Sequence, residues 1–448
     1  MRKRGVISII MGVIMVFGCV GCSLGGILGN SSNSNSNSGS SDSAPIEEQL
    51  PDVIAALRSE GQYQAPSYVH LPQYDPVNLE DDRIKAISFE SVAYDGKPTN
   101  VFAYFGMPET ATAENKVPAV VLVHGGGGTA FPEWVQLWVD AGYAAIAIDT
   151  EGRVNVGGIS AWNPQSTTVA DLYGGPSNDS LSTSFRDLNK QWIYFAVSAA
   201  MKANSFIRRD SRVDETKVGI TGISWGGVIT SMTMCADDRF AFAVPVYCNG
   251  NFTEGNMQTL MNTNFSEQKT RDLWEPSNYF DLIKAKVMLL NADHDFSHAM
   301  VGTNASHTQI TDSYQVIIPD LVHGHIQGWE VQETIAFANS VVGKGTNKLV
   351  RVLSQTVENG QVKVTFSTTE GVRIAKAEVY AIEGAYEMDT ETTSGYINGL
   401  KEDFKKVTET TVTTQGEVCV TIPENVSHFY VNLISDEGFV SSGNMIKL

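Results

Sequence analysis

Cysteine is scarce in this chain, with five residues in 448, and beyond Cys19 and Cys22 near the N-terminus only Cys235, Cys248 and Cys419 remain. Three widely spaced thiols form no disulfide framework, so they are expected to serve as small core residues. Positive charge is also short. Against 50 Asp and Glu there are 31 Lys and Arg, a net charge of -19, and an excess of that sign repels both nucleic acid and anionic lipid headgroups. A neutral or cationic small molecule or polysaccharide is the easier partner. Long apolar runs are missing too: the one candidate, Val6 to Phe17, falls short of the roughly 20 residues that a membrane span needs. What the composition does contain, 42% hydrophobic and 18% charged residues, belongs to a globular protein with a substantial core and excludes global disorder.

The short apolar run follows Arg2, Lys3 and Arg4 and ends in small residues and cysteine, the pattern of a secretory signal with a lipobox. Residues 1–22 are expected to be that signal, with Cys22 rather than Cys19 as the lipidated residue of a cell-surface protein. Membrane association is then expected only through this anchor. Residues 23–45, rich in Ser, Asn and Gly, read as a tether with too few apolar residues to fold.

Residues near 84 to 107 alternate apolar and polar positions around Asp95-Gly96, which predicts an antiparallel hairpin at a sheet edge. The next strands are continuous apolar runs ending in turn residues: PAVVLVHGGGG from Pro118, YAAIAIDTEG from Tyr143, KVGITGISWGG from Lys217, AFAVPVYCNG from Ala241 and KAKVMLLNADHD from Lys284. Such runs suit parallel strands covered on both faces, and helical spacing in PEWVQLWVDAG and LNKQWIYFAVSAAMKANS completes an alternation of strand and helix. The fold class is therefore α/β, a doubly wound, mostly parallel sheet over residues 46–345. After Lys344 the pattern becomes short period-two strands with no helix between them, which predicts an all-β sandwich over 346–448. Tyr430, Phe429 and Tyr396 in that part are read as core or turn residues rather than a glycan platform.

Four features carry chemistry. Gly222-Ile-Ser224-Trp-Gly226-Gly227 follows an apolar strand and opens a helical run; glycine flanks serine where the chain turns too sharply for larger side chains, the arrangement of a nucleophile elbow. His124 and the four glycines after it follow the strand VVLV, where amides of Gly126 and of Trp225, the residue after the nucleophile, are expected to hold an oxyanion. His124 itself is expected to hold the loop by hydrogen bonds. After the strand VMLLN, Asp293 and Asp295 compete for the acid position, and Asp295 is favoured, with Asp293 as a turn residue. In IPDLVHGHIQGWE the competing bases are His323 and His325, and His323, just ahead of a glycine, is favoured. The order Ser224, Asp295, His323 is that of the hydrolases built on this fold. A zinc hydrolase built from His294, His298, His307, His323 and His325 would leave both the elbow and the glycine loop without a purpose.

Together HGGGG, TGISWGG, DDRFAFAVPVYCNG, LLNADHDF and HGHIQGWE resemble the bacterial acetylxylan esterase and dienelactone-hydrolase-like branch of the α/β hydrolases, over about residues 84–342. The resemblance extends to the prolyl oligopeptidase family, whose N-terminal propeller has no room in the roughly 70 residues between tether and glycine loop. Asn291-Ala292 and Cys248-Asn249 depart from the Asn-Gly and Gly-Cys common in these enzymes. The resemblance implies an esterase that removes acetyl or other acyl groups from plant cell-wall carbohydrate, with no metal or organic cofactor. A serine peptidase, or a non-catalytic glycan-binding lipoprotein, are the alternatives.

Overall fold

Nine strands in one sheet set the frame of the computed structural model, which describes residues 52–448 except 78, 80, 160–163, 169–172, 177–186, 257–258 and 388–399. The expected signal, tether and lipidation site at Cys22 lie outside the described residues, as does Tyr396. The sheet strands are β1 (Tyr68–His70), β2 (Ile84–Glu90), β3 (Asn100–Gly106), β4 (Val117–Val123) and β5 (Ala144–Ile148). After a separate two-stranded hairpin, β6 (Arg153–Ile159) and β7 (Pro164–Thr168), the sheet continues with β8 (Val213–Ile223), β9 (Phe242–Val246), β10 (Lys286–Ala292) and β11 (Tyr314–Ile318). Their spatial order is β1-β2-β3-β5-β4-β8-β9-β10-β11. From β5 to β11 every pairing is parallel, and the β1 to β3 end is antiparallel. Asp95 and Gly96, both at positive φ, make the turn expected between β2 and β3. That hairpin is one strand in from the edge, however, because β1 pairs outside β2.

Strands β5 and β9 are buried along their whole length, β4 from Ala119, β8 from Val218 and β10 from Val287, as parallel strands between helical layers should be. Helix α1 (Pro132–Asp140) begins with proline at its first turn, where the missing N–H costs nothing, and Gly142 follows its end at φ 80°. Helix α2 (Trp192–Arg208) buries fourteen side chains, and α3 (Trp225–Ala236) is buried all round, as a helix at the centre of a large core should be. Helices α4 (Met300–Gln309) and α5 (Gln332–Val342) complete the layers. Parallel register brings Val123 beside Gly222, Ile223 beside Val246 and Ala292 beside Ile318. The ends of β4, β8, β10 and β11 thus share one rim, and the residues that follow them meet there.

Beyond residue 345 the chain forms two antiparallel sheets. One holds β12 (Val352–Glu358), β13 (Gln361–Phe366) and β16 (Glu417–Thr421). The other holds β14 (Ile374–Ile382), β15 (Lys405–Thr411), β17 (His428–Ser435), β18 (Val440–Ser442) and β19 (Ile446–Lys447). Val362, Val364, Val418 and Val420 share a core with Val379, Phe429, Val431 and Leu433. Cys235 and Cys248 are buried as expected, but Cys419 is exposed: on β16 the alternation that turns Val418 and Val420 inward turns Cys419 out.

The C-terminal sheets also cover the open edge of the large sheet. The Ile317 amide on β11 donates to Ser442 Oγ at 2.8 Å, and Asn432 Nδ2 donates to the Ile317 carbonyl at 3.0 Å. Backbone groups of an outer strand that would otherwise offer a template for aggregation are satisfied this way. The described residues from Asp52 to Leu448 belong to one compact unit.

Candidate active site

Ser224 stands between the end of β8 and the start of α3 with φ 57° and ψ -116°, a backbone conformation that favours glycine. The neighbours that permit it have no room for side chains. A Cβ on Gly222 would meet the Gly226 carbonyl oxygen, and one on Gly226 would meet the carbonyl oxygens of Val123 and His124. Both collisions are with backbone, which cannot swing aside as a side-chain tip could. The turn therefore lifts Ser224 out of the sheet, and it is only half-buried.

Two loops bring partners to its hydroxyl. Ser224 Oγ donates to His323 Nε2 at 2.8 Å, and His323 Nδ1 donates to Asp295 Oδ2 at 2.6 Å. The other carboxylate oxygen of Asp295 accepts the amides of Ser297 and His298, each at 2.8 Å. Burial pushes this carboxyl up, but the His323 charge and hydrogen bond, with the two amides, more than reverse that and hold it below the ordinary carboxylate range. An ionised acid fixes the imidazole with its proton on Nδ1 and leaves Nε2 to accept from serine.

The glycine loop lies against the elbow: a Cβ on Gly125 would come within 3.1 Å of Ser224 Cβ, and one on Gly126 within 2.7 Å of Trp225 Cδ1. Three of its amides are engaged. That of Gly125 donates to His325 Nε2 at 2.9 Å, that of Gly127 to Glu151 Oε1 at 2.9 Å, and that of Gly128 to the Gly125 carbonyl at 3.0 Å. Among the described residues, the amides of Gly126 and Trp225 have no hydrogen-bond acceptor. Those two donors are available to a developing negative oxygen.

His124 is buried and tied on both sides. Its Nδ1 donates to the Gly125 carbonyl at 2.7 Å and its Nε2 accepts the Thr150 amide at 2.9 Å. Burial pushes its imidazole down to about 4, so it stays neutral and holds the loop.

The histidines that crowd the sequence downstream of Ser224 take separate tasks. His298 Nε2 bonds Asn249 Oδ1 at 3.1 Å, His307 Nδ1 bonds Ser313 Oγ at 2.8 Å, and His325 supports the glycine loop. Among the described residues, no three His, Cys, Asp or Glu side chains converge as metal ligands.

Asp293 does more than turn the chain. Its Oδ1 bonds His294 Nδ1 at 2.7 Å and accepts the Asp320 amide at 3.2 Å, which links the loop of Asp295 to the loop of His323. Sequence reasoning missed this, and it missed His325 and Glu151 as supports of the glycine loop. The His-Gly-His spacing was a signal for the second histidine. Nothing local marked Glu151, because its partner Gly127 lies on another strand's loop.

Two family models match the chain: the acetyl xylan esterase family over residues 69–252 and the prolyl oligopeptidase family over residues 169–343. The uncharacterized peptidase YuxL of Bacillus subtilis (strain 168) is 24% identical over 203 residues, which cover 42% of this chain and 27% of that protein. The match thus spans little more than a quarter of that relative's length. Among solved structures, the acetyl xylan esterase from Paenibacillus sp. R4 aligns with a TM-score of 0.49 and 18% identity, over 64% of this chain and 92% of that one. Acetyl xylan esterase 1 from Thermoanaerobacterium sp. JW/SL YS485 aligns with a TM-score of 0.47 and 16% identity, over 65% and 94%. A puromycin-hydrolyzing peptidase of Mycobacterium tuberculosis aligns with a TM-score of 0.44 and 18% identity, over 60% and 41%.

Proposed function

We propose that this chain, a serine hydrolase of the α/β-hydrolase superfamily, cleaves carboxylic esters by two-step acyl transfer, with acetylated cell-wall carbohydrate as its substrate class. The observation that carries the reading is the hydrogen-bond chain from Ser224 through His323 to Asp295. In the first step Ser224 Oγ attacks the ester carbonyl carbon while its proton passes to His323 Nε2. Asp295 stabilises the imidazolium, and the carbonyl oxygen takes up negative charge between the amides of Gly126 and Trp225. Collapse of this intermediate expels the alcohol, which takes the proton from His323. Water then repeats the sequence on the acyl-serine, releasing the acid and restoring the hydroxyl. Every bond made or broken is served by these residues, so the cycle closes without a cofactor.

The acetyl xylan esterase match over 69–252 supports the substrate class, and so does the chain's net charge of -19, which favours a neutral carbohydrate over an anionic polymer. A second reading, a serine peptidase, is favoured by the prolyl oligopeptidase match over 169–343. The experiment compares acetate release from acetylated xylan with release of nitroaniline from dipeptidyl anilides, using wild type and Ser224→Ala. Acetate release that Ser224→Ala abolishes supports the esterase. Anilide cleavage without acetate release supports the peptidase, and equal activity of the two proteins removes Ser224 from the mechanism.

The N-terminal sequence supports an extracellular site of action for a lipoprotein anchored through Cys22. Incorporation of labelled palmitate by the full-length protein, lost in Cys22→Ser, is the result expected; equal labelling of both removes the anchor from the proposal.

A further inference from the structure

The residue after β9 is Tyr247, fully buried, with φ 67°. A non-glycine residue holds such a backbone only where its surroundings over-determine it, and these sites concentrate where function needs a fixed geometry. Three contacts fix Tyr247. Its amide donates to the Leu290 carbonyl at 2.8 Å, which ties it to β10. Its ring lies on the imidazole of His323, with centroids 4.3 Å apart and planes 28° from parallel. Its hydroxyl lies 2.8 Å from the Val322 carbonyl and 3.4 Å from the Gly324 carbonyl, the two backbone oxygens on either side of His323.

We infer that Tyr247 is the positioning residue of the general base: its hydroxyl anchors the backbone around His323, and its ring sets the plane of the imidazole. The inference rests on His323 being the base, as proposed above. Asp295 fixes the Nδ1 side of the ring and Ser224 meets Nε2, yet two hydrogen bonds in the ring plane leave the imidazole free to rock about the line that joins them. A flat neighbour removes this freedom. Phe296, at 4.8 Å and tilted by 56°, adds a second aromatic contact. When His323 takes the serine proton, the π face of Tyr247 also meets a cation, an attraction that the neutral imidazole lacks. Ser224 and Tyr247 thus use left-handed backbone at the ends of neighbouring strands β8 and β9, one to raise the nucleophile and the other to hold the base facing it.

The test separates positioning from stability. Tyr143, elsewhere in the core, also places a buried tyrosine hydroxyl in a hydrogen bond, 2.9 Å from Asn339 Oδ1. Tyr247→Phe, Tyr247→Leu and Tyr143→Phe are compared with wild type and Ser224→Ala for hydrolysis of 4-nitrophenyl acetate, for labelling rate by a fluorophosphonate and for thermal midpoint. Tyr247→Leu is expected to lower kcat about 100-fold, the scale of a catalytic group misplaced by 1 Å, with KM within about twofold of wild type. Tyr247→Phe, which keeps the stacked ring but loses the hydroxyl anchor, should recover only part of that loss. Tyr143→Phe should lower the midpoint and leave kcat unchanged. A folded Tyr247→Leu with wild-type kcat and labelling rate overturns the inference. So does a loss in the Tyr247 variants that Tyr143→Phe reproduces at the same midpoint. Activity that survives in Ser224→Ala overturns instead the reading on which the inference rests.

Discussion

The hydroxyl of Tyr430 on β17 donates to Asp293 Oδ2 at 2.9 Å, so a side chain of the C-terminal sheets reaches the loop that carries Asp295. Burial and the Asp293 charge push the Tyr430 phenol well above its ordinary range, which keeps it a donor. Asp293 in turn accepts the Asp320 amide from the loop that leads to His323. The C-terminal sheets therefore brace both loops that present partners to Ser224, and Tyr430 and Phe429 are core residues.

Replacing Tyr430 by Phe leaves Asp293 Oδ2 buried without its donor. The cost of an unsatisfied buried acceptor predicts a loss of about 1–3 kcal/mol in stability, together with a fall in kcat as the two loops loosen. Urea unfolding and steady-state kinetics on an acetate ester check this. An unchanged unfolding midpoint would show that the bond does not brace the loops.

Gly226→Ala should abolish the elbow. The new methyl meets the carbonyl oxygens of Val123 and His124, and neither strand β4 nor helix α3 can move away without opening the core. The expected result is loss of fluorophosphonate labelling at Ser224, with stability lower by about 1–3 kcal/mol. A soluble variant that labels at the wild-type rate would contradict the steric account.

Glu151 accepts the Gly127 amide at 2.9 Å and pairs with Arg153 at 3.3 Å, and Arg153 donates to the Gly127 carbonyl at 2.9 Å. This pair holds both backbone groups of the glycine next to the free Gly126 amide. Glu151→Ala should lower kcat about 10- to 100-fold by letting the proposed oxyanion donors drift. Glu151→Gln, which keeps an acceptor, should lose less. If the two variants behave alike in kcat, the hydrogen bond to Gly127 is not the reason.

His307 is held neutral by burial and by the Arg351 charge, which push its imidazole down to about 4 from an ordinary 6.5. Between those values the unfolded chain binds a proton that the folded chain does not. The stability that the neutral ring contributes is therefore complete above about pH 6.5 and is lost as pH falls toward 4. His307→Gln should reduce the slope of stability against pH in that window by about 1.4 kcal/mol per pH unit, one proton's worth. Urea unfolding at pH 4.5, 5.5 and 7 measures it, and parallel profiles for wild type and variant would show that His307 is already charged in the folded protein.

Sequence and structure divide the molecule unevenly. Elements and chemistry-bearing loops were legible because their signals are local. Continuous apolar runs mark β4, β5, β8, β9 and β10 as strands covered on both faces, and Gly222 and Gly226 mark a turn that tolerates no Cβ. The choice of Asp295 over Asp293, and of His323 over His325, depended on loop position, and the structure brings the favoured pair to Ser224 while giving the others different partners.

What the sequence determined by itself was which segments are strands, where the chain turns sharply and which residue types stand at the ends of those strands, since each is fixed by side chains within a few positions of one another. Only the tertiary structure decided how the rim is held. The Tyr247 ring on His323, the Glu151 carboxylate on Gly127 and the Tyr430 hydroxyl on Asp293 join residues separated by tens to more than a hundred positions. No local pattern encodes such pairs. They exist because the parallel register aligns the strand ends and because the C-terminal sheets close over the edge of β11.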